Sequence, residues 1–167
     1  MSTRRYLLAT FDFPPRVGGA ARYHAAVAAA LGPTGSVRVL SMDRHWLRML
    51  PEFLRIPKMI HVIIGEVLPL GTLTWMRSWF GGRYSVIGHG LDLRSAARVP
   101  RKRRLASRIL RRAHRVIANS AFTAALTSEF GVTAERLRVV HPSTSITPAL
   151  LTEGAGLALR SLGEGGD

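Results

Sequence analysis

The chain of 167 residues contains no cysteine. That excludes disulfide bonds and thiolate metal sites, and it suits a reducing compartment. Lysine is nearly missing: Lys58 and Lys102 are the only two among 24 basic residues. Codon composition can produce such a skew, and no functional weight rests on it. Acidic residues number only 10, which leaves a net charge of +14 and predicts an anionic partner or surface. Long apolar runs are lacking too. The most apolar long window, Met59 to Met76, is interrupted by His61, Gly65, Glu66 and Pro69, which argues against a membrane span. The opening MSTRRYLLATFDFPP has too short an apolar run and no small-residue cleavage site for a signal peptide, so a cytoplasmic location is expected. Neither GxGxxG, GxxxxGK[ST] nor GxSxG occurs, so nicotinamide enzymes, P-loop NTPases and nucleophile-elbow hydrolases lose support.

What is present is the material of one globular domain. Hydrophobic residues make up 47% of the chain, and a domain of this length buries roughly 70% of its unfolded surface. Apolar runs at 6–11, 37–42, 59–64, 84–88, 115–118 and 137–140 read as strands. Between them lie helical patterns at 19–31, 45–54, 67–80, 100–113 and 121–130. Pro100 opens one of these helices, Ser120 is placed to cap another, and Gly131 stops it. Strict alternation of strand and helix predicts an α/β fold with a doubly wound, Rossmann-like parallel sheet.

The stretch FDFPPRVGGAARYHA, residues 11–25, falls at the turn from the first strand into the first helix. Prolines cannot continue the strand. Glycines let a backbone approach a ligand closely, and the helix start favours phosphate. An ordinary surface turn is the plainer reading of the same residues.

Three stretches in order resemble the family 4 glycosyltransferases, a large retaining group with the GT-B fold: FPPRVGGAARYHAAVAAAL, YSVIGHGLDL and HRVIANSAFTAALTSEFGVTAERLRVVHPS. The resemblance covers residues 6 to 148. It implies a Rossmann-like domain, 1–148, forming the acceptor side of a two-domain enzyme, with 149–167 a tail or the start of a donor domain. It implies a nucleotide-sugar as co-substrate, a sugar or lipid-linked acceptor, and no metal or other cofactor. By the same resemblance Gly18 and Gly19 match the loop that meets the donor diphosphate. His89 matches the catalytic histidine near the reacting carbon, and Asp92 an acidic, loop-ordering position. Ser120 matches the serine that starts the next helix, where capping is the plainer role.

The sequence also departs from that family. The Glu-x7-Glu pair that holds the donor is missing, since no two of Glu52, Glu66, Glu129, Glu135, Glu153 and Glu164 are eight apart. The family's P-x-G-V-D is replaced by HPSTSI, and Asp-x-Asp, the mark of metal-dependent GT-A enzymes, does not occur. The expectation is half an enzyme, from a truncated or split gene or with a separate donor-domain chain, and inactive alone.

His24, His45, His61, His114 and His141 lack ligand-like spacing and read as surface or packed histidines. Residues 98–115 (RVPRKRRLASRILRRAHR) carry nine Lys or Arg and no acid. As a helix, this block sets Leu105, Ile109 and Ala113 on one stripe. Arg103, Arg104, Arg108, Arg111 and Arg112 then lie on a solvated face or one attracted to an anionic membrane. Trp46, Leu50, Phe53 and Leu54 fit either an interfacial contact or a core helix. Nucleic acid is disfavoured by the absence of a binding motif and the scarcity of aromatics. The alternative function is a non-catalytic basic α/β module for anionic membrane or nucleic acid, or a decayed gene fragment.

Overall fold

A computed structural model describes residues 4–42, 47 and 50–142. The chain alternates β1 (Arg4–Thr10), α1 (Gly19–Leu31), β2 (Gly35–Ser41), α2 (Leu50–Leu54), β3 (His61–Ile64), α3 (Leu70–Ser78) and β4 (Tyr84–Gly88). It continues with α4 (Gly90–Ala97), α5 (Pro100–Arg112), β5 (Arg115–Ala118), α6 (Ala121–Ser128) and β6 (Leu137–Val139). The six strands form one parallel sheet in the order β2-β1-β3-β4-β5-β6. This is the α/β, Rossmann-like architecture that the alternation predicts.

Period-two side-chain alternation splits the core between the two faces. Leu7, Ala9, Val62, Ile64 and Val86 join a large cluster with Leu93, Ile109 and Leu110 from α4 and α5. Leu8, Ile63 and Ile87 point the other way and meet Tyr23, Val27 and Leu31, which share one face of α1. Every residue of β4 is buried, as expected of a central parallel strand.

Local differences from the expected elements have local causes. The helix expected at 67–80 begins only at Leu70, because Pro69 takes its N-cap position and disfavours helical backbone in Leu68 before it. Met59 and Ile60 belong to a turn closed by Ile60 N–H donating to the Pro57 carbonyl, so β3 starts at His61. The helix expected at 45–54 is present as Leu50–Leu54; His45 and Trp46 lie outside the described residues, as does the tail at 149–167. Phe53 is fully buried in the large cluster, in keeping with the core-helix alternative for that residue, whereas Leu54 is exposed. Helix α4 was not expected. It buries Leu93 and Ala96, three residues apart, and one such pair is too short a pattern to mark a helix.

Candidate active site

Because β2 lies on one side of β1 and β3 on the other, the chain reverses its winding between β1 and β3. The carboxyl ends of the strands beside that reversal are the crevice position at which such sheets bind ligands. Four strand ends deliver polar groups to it: Thr10 closes β1 and Asp12 follows it, Glu66 lies after β3, His89 after β4, and Asn119 after β5. His24 reaches the same place from the second turn of α1 and is fully buried.

Hydrogen bonds fix how these groups are protonated. His24 Nδ1 lies 2.7 Å from the Asp12 carbonyl oxygen, which can only accept. That nitrogen therefore carries the proton. In neutral His24 the other nitrogen, Nε2, is a lone pair, and it faces His89 Nε2 at 2.9 Å. His89 must then donate from Nε2, leaving its Nδ1 to accept, at 3.5 Å, from the Asn119 amide. Asn119 is oriented in turn by Thr123 Oγ1, which donates to Asn119 Oδ1 at 2.7 Å. The chain of donors locks His89 as a neutral imidazole. Burial, and then the neighbouring His24, lowers its pKa to about 4.

Glu66 is the second unusual group. Its Oε1 accepts from Thr10 Oγ1 at 2.7 Å and from the Phe11 N–H at 3.1 Å. Its Oε2 is buried and has no partner. Burial raises the carboxyl pKa to about 7, against the opposing pull of those two hydrogen bonds. Gly65 makes this approach possible. A Cβ at Gly65 would sit 2.5 Å from Thr10 Oγ1 and 2.7 Å from His24 Cε1.

Gly18 and Gly19 lie at the start of α1, where no side chain caps the helix. The first intrahelical bond runs from Arg22 N–H to the Gly18 carbonyl, so the N–H groups before it stay open to an anion. A Cβ at either glycine would meet nothing within 4 Å, so packing does not demand glycine there. Asp92 sits in the first turn of α4, and burial raises its pKa. Among the described residues it has no hydrogen-bond partner. Ser120 caps α6, accepting from the Thr123 N–H at 3.1 Å; such a cap is worth about 1 kcal/mol. Arg103, Arg104, Arg108, Arg111 and Arg112 are all exposed on α5. No group of three or more metal-ligating side chains is found among the described residues. No helix among them is long and apolar enough to cross a membrane.

Sequence reasoning therefore named His89 but missed its partners. His24 read as one packed histidine among five, and Thr10, Glu66 and Asn119 were not singled out. A usable signal existed for Glu66: it is an acid directly following the apolar run VIIG.

The fold and the crevice define a Rossmann-like domain whose polar groups gather at the carboxyl edge of its sheet. The family model for Glycosyltransferase Family 4 matches residues 7–146. The chain belongs to that family, and its general activity is glycosyl transfer between nucleotide-sugar and acceptor substrates. A comparison with curated proteins finds none that matches.

Proposed function

We propose that these residues form the acceptor-side domain, 1–148, of a retaining transferase of GT-B architecture. The bond from the sugar's anomeric carbon to the nucleoside diphosphate breaks, and a bond to an acceptor hydroxyl forms. The diphosphate lies against the open N–H groups beside Gly18 and Gly19, and His89 faces the reacting sugar as a neutral imidazole. Glu66 offers its unpartnered Oε2 to a hydroxyl of the acceptor. Glutamates that grip the donor are not among these residues, so a second domain, on the same protein or a separate chain, supplies them. The reading needs no metal. The exposed arginines of α5 suit a peripheral position at the cytoplasmic face of an anionic membrane, consistent with a lipid-linked acceptor and glycan or glycolipid synthesis.

The observation that carries this reading is the family match over residues 7–146, which spans every strand end that feeds the crevice. The test is reconstitution. The 167-residue chain alone is expected to transfer no sugar, and adding a donor domain that carries Glu-x7-Glu should start turnover. Sustained transfer by the isolated chain would defeat the two-part scheme.

A further inference from the structure

The opposite edge of the sheet holds a feature that sugar transfer does not use. Arg83 precedes β4 and His89 follows it, so the two ends are about 20 Å apart along an extended strand. At the amino end lie two adjoining clefts of about 500 and 580 Å3. Arg83, His114 and Arg115 line both, and Arg112 and Arg136 line the first. The sheet brings them together because β4 and β5 pair in parallel, with Ser85 opposite Arg115.

Four guanidinium groups and an imidazole thus share one recess. None of these arginines forms an ion pair with a carboxylate among the described residues. Three of them are hydrogen-bonded yet keep spare donors. Arg115 donates from Nη1 to the His114 carbonyl at 3.3 Å. Arg112 donates from Nε to Ser78 Oγ at 2.7 Å and from Nη2 to the Ser78 carbonyl at 3.3 Å. Arg136 donates to the Arg111 carbonyl at 2.5 Å. A guanidinium has five N–H donors, so most remain available. The positive field is felt locally: after burial, Arg83, Arg115 and Arg136 all lower the pKa of His114. The mouth is open at Gly81, where a Cβ would meet nothing.

We propose that this edge is an anion site, separate from the transfer crevice, for a ligand carrying more than one phosphate charge. Planar guanidinium forks match phosphate oxygens in pairs, and several unpaired forks in one recess suit a multivalent anion better than a single carboxylate. The clefts also exceed what a lone phosphate fills, so a diphosphate or a phosphorylated lipid headgroup fits the space.

The probe is inorganic pyrophosphate, titrated calorimetrically at 0.15 M salt. The Gly19→Val chain is the background, so that the loop at the other edge contributes little. One pyrophosphate per chain is expected. Adding Arg83→Ala with Arg115→Ala should weaken binding at least tenfold, while Arg101→Ala with Lys102→Ala should leave it unchanged. If the double alanine variant does not fold, Arg83→Lys with Arg115→Lys keeps the charge but loses the forks, and should still weaken binding. Vesicles of phosphatidylinositol phosphate that compete with pyrophosphate would assign the site to a headgroup. Pyrophosphate binding without such competition would assign it to a soluble anion. The proposal is overturned if no pyrophosphate is bound by the Gly19→Val chain, or if binding is untouched by the arginine substitutions. Duplex DNA that binds more tightly at equal ionic strength, and that pyrophosphate cannot displace, would also overturn it.

Discussion

His24 and His89 meet nitrogen to nitrogen, Nε2 to Nε2 at 2.9 Å, one from α1 and the other from the end of β4. A single proton lies between the two rings. Adding a second would set two N–H groups against each other unless His89 changed tautomer. That change would point its Nδ1–H at the Asn119 amide, itself a donor. The geometry and the burial therefore act in the same direction and keep His89 uncharged at neutral pH.

Replacing His24 by alanine tests this coupling. The substitution removes the neighbouring imidazole, which would repel a proton on His89 whenever it was itself charged, and admits water, so the His89 pKa should rise from about 4 toward the ordinary histidine value near 6.5. An imidazole titration followed by NMR reads the shift. The buried hydrogen bond to the Asp12 carbonyl is lost as well, and the fold should weaken by roughly 2 kcal/mol. A His89 pKa that stayed near 4 would show that desolvation alone sets it.

Glu66 should give stability a pH dependence of a particular sign. Its carboxyl pKa is raised to about 7 in the folded chain, above its unfolded value near 4.5. Between these values the folded state binds more protons than the unfolded state, so this group's contribution falls as pH rises from about 4.5 to about 7. Glu66→Gln removes the dependence. The variant should be more stable than the natural chain at pH 8, and the difference should vanish toward pH 4.5. Urea unfolding at a series of pH values measures it. A constant difference across that range would place the carboxyl in a more solvated setting than the structure gives it. In the reconstituted enzyme the same variant should raise the acceptor KM, since the spare oxygen at Oε2 is altered.

The fold was readable because each strand is a short apolar run bounded by helices with ordinary stops, and period alone separates the two. Residues Gly18, Gly19 and His89 were readable because they sit in contiguous motifs. The rest of the crevice was not, because it is made by strand order. Thr10 and Glu66 are 56 residues apart, and His24 and His89 are 65 apart. No spacing rule joins such pairs until β1 is known to lie beside β3. Phe53 stayed open between an interfacial and a core position for a related reason: a short helix shows too few turns for its buried side to be told from its exposed one.

Gly19→Val separates a ligand loop from a plain turn. A Cβ there would meet nothing within 4 Å, so the variant should fold with stability within about 1 kcal/mol of the natural chain. Its branched side chain would nonetheless stand over the open N–H groups of α1. The donor KM of the reconstituted enzyme should rise at least tenfold, with the acceptor KM little changed. Unaltered donor affinity in the folded variant would leave Pro14 to Gly19 as a connection and nothing more.

The exposed face of α5 bears on where the enzyme works. Arg103, Arg104 and Arg108 project from a helix whose other side, Ala106, Ile109 and Leu110, is buried in the core. Their charges can thus be changed without disturbing packing. Arg112 is a poorer choice, since it holds Ser78 at the end of α3. Each basic residue near an anionic bilayer contributes about 1 kcal/mol, so the chain should sediment with phosphatidylglycerol vesicles and not with neutral ones. Binding should weaken with salt, as the screening length contracts from roughly 10 Å at 0.1 M to about 3 Å at 1 M. Arg103→Glu with Arg104→Glu and Arg108→Glu should release the protein while its thermal unfolding stays cooperative. Vesicle binding that survived this triple reversal would place the membrane contact elsewhere. Equal, weak binding to both kinds of vesicle would mark the face of α5 as merely solvated.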